Sequence, residues 1–145
     1  YKMYLTNFFS EKSTYSPRNK KKIRKLIELI CKDQKKSLVF LNCIFCSDNY
    51  LLEINKKYLK HNFYTDVITF DHREKQNKNI EGDVYISVDR VKENAKSYGV
   101  KIESELTRVI IHVVLHLCGF VDKNKKEKKI MGHKENKYIS LYDNI

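Results

Sequence analysis

Apolar residues recur along this chain in two rhythms, one near two residues and one near 3.6. Tyr1 to Phe9 alternates loosely, which predicts a first strand. From Ser16-Pro17, Ile23, Leu26, Ile27 and Ile30 return at helical spacing to about Lys32. Ser as N-cap and Pro at the first helical position mark the start. Leu38 to Cys46, rich in β-branched and aromatic residues, predicts a strand. Ser47-Asp48 caps a helix to about Leu59, with Leu51, Leu52, Ile54 and Tyr58 inward. His61 to Asp66 reads as a polar loop, Val67 to Asp71 as a short strand, and His72 to Asn79, without periodicity, as a mobile loop. Glu81-Gly82-Asp83 leads into an alternating strand, Val84 to Val88. Asp89 caps a helix through Tyr98 that Gly99 ends. A long apolar helix follows from about Ser104 to Cys118, and Ile130, Tyr138 and Leu141 predict a last one. No repeat or domain boundary interrupts the order. It predicts an α+β (mixed α/β) fold, a small mixed four-stranded sheet packed with about five helices, in a single domain over residues 1–145.

Composition narrows this little: 41% hydrophobic residues, one Pro and four Gly exclude a low-complexity chain. Charge adds more. Lys and Arg number 29 against 18 Asp and Glu, a formal net charge of +11. That excess suits a polyanion, nucleic acid first and an anionic membrane surface second. A chain heavy in Lys, Asn, Ile and Tyr is also what an AT-rich genome produces, so charge alone leaves the partner open. Arg18, Lys20, Lys21, Lys22, Arg24 and Lys25 crowd the first turns of a helix, where cations oppose the macrodipole. A visiting phosphate backbone or plain solvation answers that cost. Cys43 and Cys46 resemble half a zinc knuckle, but three residues apart on a strand they point to opposite faces. With Cys31 and Cys118 they read as reduced, buried thiols. No signal peptide and no run of about 18 apolar residues is present, which predicts a cytoplasmic protein without a membrane partner.

The candidate chemistry sits in Ile110 to Asp122. His112 and His116 are four apart, hence on one face of the long helix. Leu106, Val109, Ile110, Val113, Val114, Leu115 and Leu117 make that helix apolar nearly all round, so it is buried, and buried imidazoles need partners. Gly119 supplies a left-handed exit, after which the chain doubles back to offer Asp122. Two His, one Asp and an open position make a catalytic zinc pattern. No Glu follows His112, which argues against the metalloprotease motif and its Glu base. Arg108 and Glu105 are spaced for an i,i+3 ion pair. His72 and His133 read as free surface residues.

His112-x-x-x-His116-Leu117-x-Gly119-Phe120-x-Asp122 resembles the metal motif of the YbeY family, single-domain endoribonucleases that mature ribosomal RNA. Asn55-x-x-Tyr58, Thr65-Asp66-Val67-Ile68-Thr69-Phe70 and Gly82-Asp83-Val84-Tyr85-Ile86-Ser87 resemble three further blocks of that family, in the same order. The resemblance covers residues 38 to 141. It implies a metal-dependent, single-strand-specific endoribonuclease acting on the 3′ end of small-subunit ribosomal RNA and in ribosome quality control. It also implies the ribosome or its assembly proteins as partners, and one zinc ion held by His112, His116 and Asp122. The ion would acidify a water and polarise a phosphoryl oxygen. The metal-bound hydroxide itself, or Asp66 or His61, would then manage the proton, and Lys60, His61, Thr65 and Arg73 would line the RNA path. Three positions depart from the family pattern. Asp122 stands where most members have a third His, which makes the site harder and moves its preference toward manganese or iron. Val113 stands where Gly is frequent, and Leu59 where an Arg follows the Tyr, leaving Lys60 or His61 as substitutes. Two rivals stay open: an RNA-binding assembly factor with a structural metal, and a metal hydrolase with a deep apolar pocket for a small substrate.

Overall fold

The computed structural model describes residues 4–61, 65–73 and 77–145. Residues 1–3 of the expected first strand, and 62–64 and 74–76 of the two expected loops, lie outside the described residues. The chain runs β1 (Thr6–Glu11), α1 (Lys20–Asp33), β2 (Ser37–Cys46), α2 (Asp48–Leu59), β3 (Val67–Asp71), β4 (Asn79–Ser87), α3 (Val88–Tyr98), α4 (Ile102–Leu117) and α5 (Lys125–Asp143). The strands form a mixed sheet in the order β1-β2-β4-β3. β1 and β4 lie parallel to β2, and β3 runs antiparallel to β4. The expected α+β architecture is what the chain adopts.

Alternation along β2 divides the molecule into two unequal layers. Leu41, Cys43 and Phe45 enter a large core with Ile80, Val84 and Ile86 of β4, and α1, α3, α4 and α5 cover that face. Cys46 points the other way, into a small cluster with Leu51 and Ile54 of α2 and Ile68 of β3. The two thiols therefore face opposite sides of the sheet, and burial pushes each up to about 12. α4 lies within the large core: Ile111, Val114 and Leu115 have no exposed surface. Each such side chain contributes roughly 1.5–3 kcal/mol on burial. Gly82 of β4 sits beside Phe70 of β3 so closely that a Cβ there would lie 2.9 Å from the Phe70 carbonyl oxygen.

Several expected boundaries move. α1 begins at Lys20 after Asn19, which makes no side-chain cap, so Ser16-Pro17 only approaches the helix. β4 begins at Asn79, because the ladder with β2 extends through Ile80 and Gly82. Ser87, not Asp89, caps α3 by accepting from the Arg90 N–H. Tyr58 of α2 is 59% exposed, not inward. In α5 the inward stripe is Met131, Glu135, Tyr138 and Tyr142, while Ile130 and Leu141 are exposed. The basic segment 123–129 is largely the first turn of that helix, closed by a capping box between Asn124 and Glu127.

Candidate metal centre

α4 ends where its ligand spacing needs it to end. The Phe120 N–H donates to the Leu115 carbonyl, and the Gly119 N–H donates to that of His116, both at 3.0 Å. This is the paired closure of a Schellman motif, and Gly119 takes the required left-handed backbone at φ 109°. The reversal carries Asp122 back over the last turn of the helix. His112 Nε2 and His116 Nε2 are 3.1 Å apart. The Asp122 carboxylate straddles them, with Oδ2 3.4 Å from the His112 nitrogen and Oδ1 3.4 Å from that of His116.

This donor set fits a metal ion. Two imidazole nitrogens and a carboxylate oxygen lie within 4.8 Å of one another. Zinc bonds of about 2.0–2.1 Å at tetrahedral angles put neighbouring donors about 3.3 Å apart, close to the three separations here. The orientation of His112 also suits coordination. Its Nδ1 faces Glu135 Oε2 of α5 at 2.5 Å, so the ring proton belongs on Nδ1 and the Nε2 lone pair turns to the cluster. The Glu135 hydrogen bond pushes the His112 pKa up, against the opposing effect of burial. Glu135 is held in turn by Arg108, whose Nη1 donates to Oε1 at 3.2 Å. A cavity of about 210 Å³ opens beside His112, lined by Asp66, Glu105, Arg108 and Glu135 among others.

The family model described as Endoribonuclease YbeY matches residues 6–143. The chain belongs to the YbeY family. Among curated relatives, an Endoribonuclease YbeY of Cytophaga hutchinsonii is 48% identical over 134 residues, covering 92% of this chain and 93% of its own. One of Karelsulcia muelleri is 49% identical over 115 residues, covering 79% and 80%. The solution structure of TM1509 from Thermotoga maritima superposes with a TM-score of 0.68 at 30% identity, covering 94% of this chain and 88% of that one. The family is one of hydrolytic nucleases, and a metal-binding group of His112, His116 and Asp122 accords with membership.

The remaining expected site residues of this YbeY member divide. Asp66 lines the His112 cavity, and its backbone carbonyl accepts from the Ser87 N–H. Thr65 is half-buried just before it. Lys60 and His61 are exposed at the end of α2, where Lys60 takes a left-handed C-cap and the His61 N–H donates to the Asn55 carbonyl. Arg73 is held inside the fold. Its side chain is 2% exposed, and its guanidinium is spent on Asp71 and on the carbonyls of Asn79 and Leu117. It ties the β3–β4 hairpin to the end of α4. His72 is not free either, since its Nε2 meets Asp83 at 2.7 Å. His133 is exposed as expected. The expected Glu105–Arg108 pair is replaced by Arg108–Glu135. Glu135 itself was not among the sequence candidates. The available signal was a carboxylate on the inward stripe of α5, between Met131 and Tyr138.

Proposed function

We propose that this chain is a metal-dependent endoribonuclease cutting single-stranded RNA, with His112, His116 and Asp122 as metal ligands. The observation that carries the reading is the convergence of those three donors at metal-ligand separations, with His112 oriented by Glu135. Zinc is the first expected ion; the carboxylate in place of a third His makes manganese or iron the competitors. The substrate is ribosomal RNA at the 3′ end of the small subunit. The cellular setting is ribosome maturation and quality control in the cytoplasm, with ribosomal and assembly proteins as partners.

The chemistry such an ion supplies when bound is polarisation of a phosphoryl oxygen and acidification of a water. The chain's own residues do the rest. Glu135 fixes the tautomer of His112 and keeps its ring from turning. Asp122, anchored by the Gly119 reversal, sets the charge and hardness of the donor set. Asp66, across the cavity from His112, accepts a proton from the attacking water, with His61 the second candidate. Lys123, Lys125, Lys126, Lys128 and Lys129, all exposed just beyond Asp122, draw in the phosphate backbone. The cavity beside His112 is smaller than the roughly 300–1,000 Å³ of small-molecule pockets and is lined by charged side chains, which disfavours a small apolar substrate.

The test is elemental analysis of purified protein, followed by cleavage of a single-stranded RNA, for wild type, His116→Ala and Asp122→Ala. About one ion per wild-type chain, lost together with cleavage in both variants, is the expected result. Metal retained in Asp122→Ala moves the third ligand elsewhere. Wild-type protein that takes up no ion after reconstitution ends the nuclease reading and leaves an RNA-binding assembly factor.

A further inference from the structure

Glu105 is the buried acid that the metal centre does not use. It lies seven residues before His112 on α4, about 10 Å along the helix axis, and is 6% exposed. Burial pushes its carboxyl pKa up, and the Arg108 charge works against this. Arg108 has turned away to Glu135 and Asn136. Among the described residues the Glu105 carboxylate accepts no hydrogen bond, and its oxygens are not sealed from solvent, so the acceptor stays open to a visiting donor.

What faces it is a hollow. A second cavity, of about 520 Å³, is lined by Tyr98, Val100, Ser104, Glu105, Arg108 and Ile139. It shares Glu105 and Arg108 with the cavity beside His112, so the two hollows adjoin at that pair. Its outer wall carries Tyr98, 67% exposed, and Val100, also exposed. An aromatic ring and aliphatic side chains around one buried acceptor suit a flat ligand with a donor edge. They do not suit a phosphate, which Glu105 would repel. A second cation lacks ligands, because His112, His116 and Asp122 are the one metal-competent group among the described residues.

We propose that this hollow is a base subsite: it takes the nucleobase of one unpaired nucleotide near the cleaved phosphodiester, stacked on Tyr98 and read by the Glu105 carboxylate, with guanine the best fit. The proposal rests on the nuclease reading and names what that site selects. Unpaired RNA bases are bound by stacking on aromatic rings and by hydrogen bonds to their exposed edges. Guanine presents two neighbouring donors, N1–H and the 2-amino group, which match the two oxygens of a carboxylate as an arginine fork does. Cytosine offers its 4-amino group alone to such an acceptor. Arg108 lines both hollows and keeps guanidinium N–H groups beyond its bonds to Glu135 and Asn136; these meet the phosphate that links this nucleotide to the one at the metal centre.

The test uses single-stranded oligouridylates carrying one guanosine, or one inosine, which lacks the 2-amino group. Binding is followed by fluorescence anisotropy with chelator present, and cleavage positions are mapped with metal-loaded protein. Wild type is expected to bind the guanosine oligomer about tenfold more tightly than the inosine one, and to cut at a fixed register from the guanosine. Glu105→Gln, nearly isosteric, is expected to erase that preference while keeping its bound ion. Tyr98→Ala, at an exposed position, is expected to weaken binding of every oligomer about tenfold, the scale of one lost stacking contact. Equal binding of guanosine and inosine oligomers by wild type, or a preference unchanged in Glu105→Gln, overturns the subsite and leaves the nuclease reading standing. Absence of cleavage with any oligomer removes the nuclease reading instead, while the binding comparison still decides the subsite.

Discussion

At the scale of single residues, the centre depends as much on what grips its ligands as on the ligands. Glu135 bonds the far nitrogen of His112, and Arg108 bonds Glu135. Removing such a partner typically costs 10–100-fold in metal affinity. Glu135→Ala is therefore expected to lose affinity in that range in a competition titration against a chelator, with an unchanged far-ultraviolet spectrum. Wild-type affinity in the variant would show that packing alone orients His112. Asp71 offers a second residue-scale test. Arg73, bonded through Nε and Nη2, holds the Asp71 carboxyl below its ordinary value of 3.8. The unfolded chain then takes up that proton at a higher pH than the folded one. The stabilisation is complete above the ordinary value and is lost as pH falls through the depressed one. Partial exposure of Asp71 to solvent keeps the effect small. Between pH 5 and pH 3 the urea midpoint of wild type should fall further than that of Asp71→Asn, and parallel curves would sink the linkage.

At the scale of elements, the turn after α4 is the part that converts a helix into a site. Gly119 at φ 109° is a position where a side chain is strained, at roughly 1–2 kcal/mol for a residue such as Val. Gly119→Val should lower thermal stability modestly and metal affinity sharply, because Asp122 is placed by that reversal. A variant with reduced stability and wild-type affinity would separate the turn from the centre. This was also the most legible element. Its ligands are local in sequence, its spacing follows helical geometry, and its stop signal is one glycine. Elements set by distant contacts were less legible. Asn79 to Gly82 has the polar look of a loop, yet pairs with Ser37 to Leu41 of β2, a partner about 40 residues away in sequence. Glu135 was missed for the same reason. Nothing near it in sequence says that α5 docks against α4, and only that docking brings it to His112. An arginine in a polar loop likewise gives no sign that its partners are the Leu117 carbonyl and Asp71.

At the scale of the whole molecule, the excess of 11 positive charges is unevenly committed. In the α1 cluster, Arg24 donates to the Thr6 carbonyl and covers the Tyr4 ring. Lys22 covers Tyr142, and Arg18 approaches Glu103. The exposed lysines at the start of α5 follow directly on Asp122 and are the ones placed to meet RNA at the centre. Each phosphate neutralised on a single strand contributes about −0.7 to the slope of log affinity against log salt. Lys125→Glu with Lys128→Glu should flatten that slope by about 1.4, whereas Lys21→Glu with Lys25→Glu should leave it near the wild-type value. Equal changes in both pairs would spread the RNA footprint over α1 as well.

The bond between Glu135 and His112, beside the bonds from Arg108 to Glu135 and Asn136, joins α4 to the middle of α5. The same helix is latched to α1 at its far end, where the Tyr138 hydroxyl donates to Asp33. An ion seated on Nε2 of His112 would hold that ring still, and through it would hold the middle of α5. Occupancy then becomes a matter of local unfolding: the amides of residues 131–142 should exchange with deuterium more slowly when the ion is bound, by a factor that grows with its concentration over its dissociation constant. The C-terminal helix would serve as the molecule's own gauge of whether its centre is loaded.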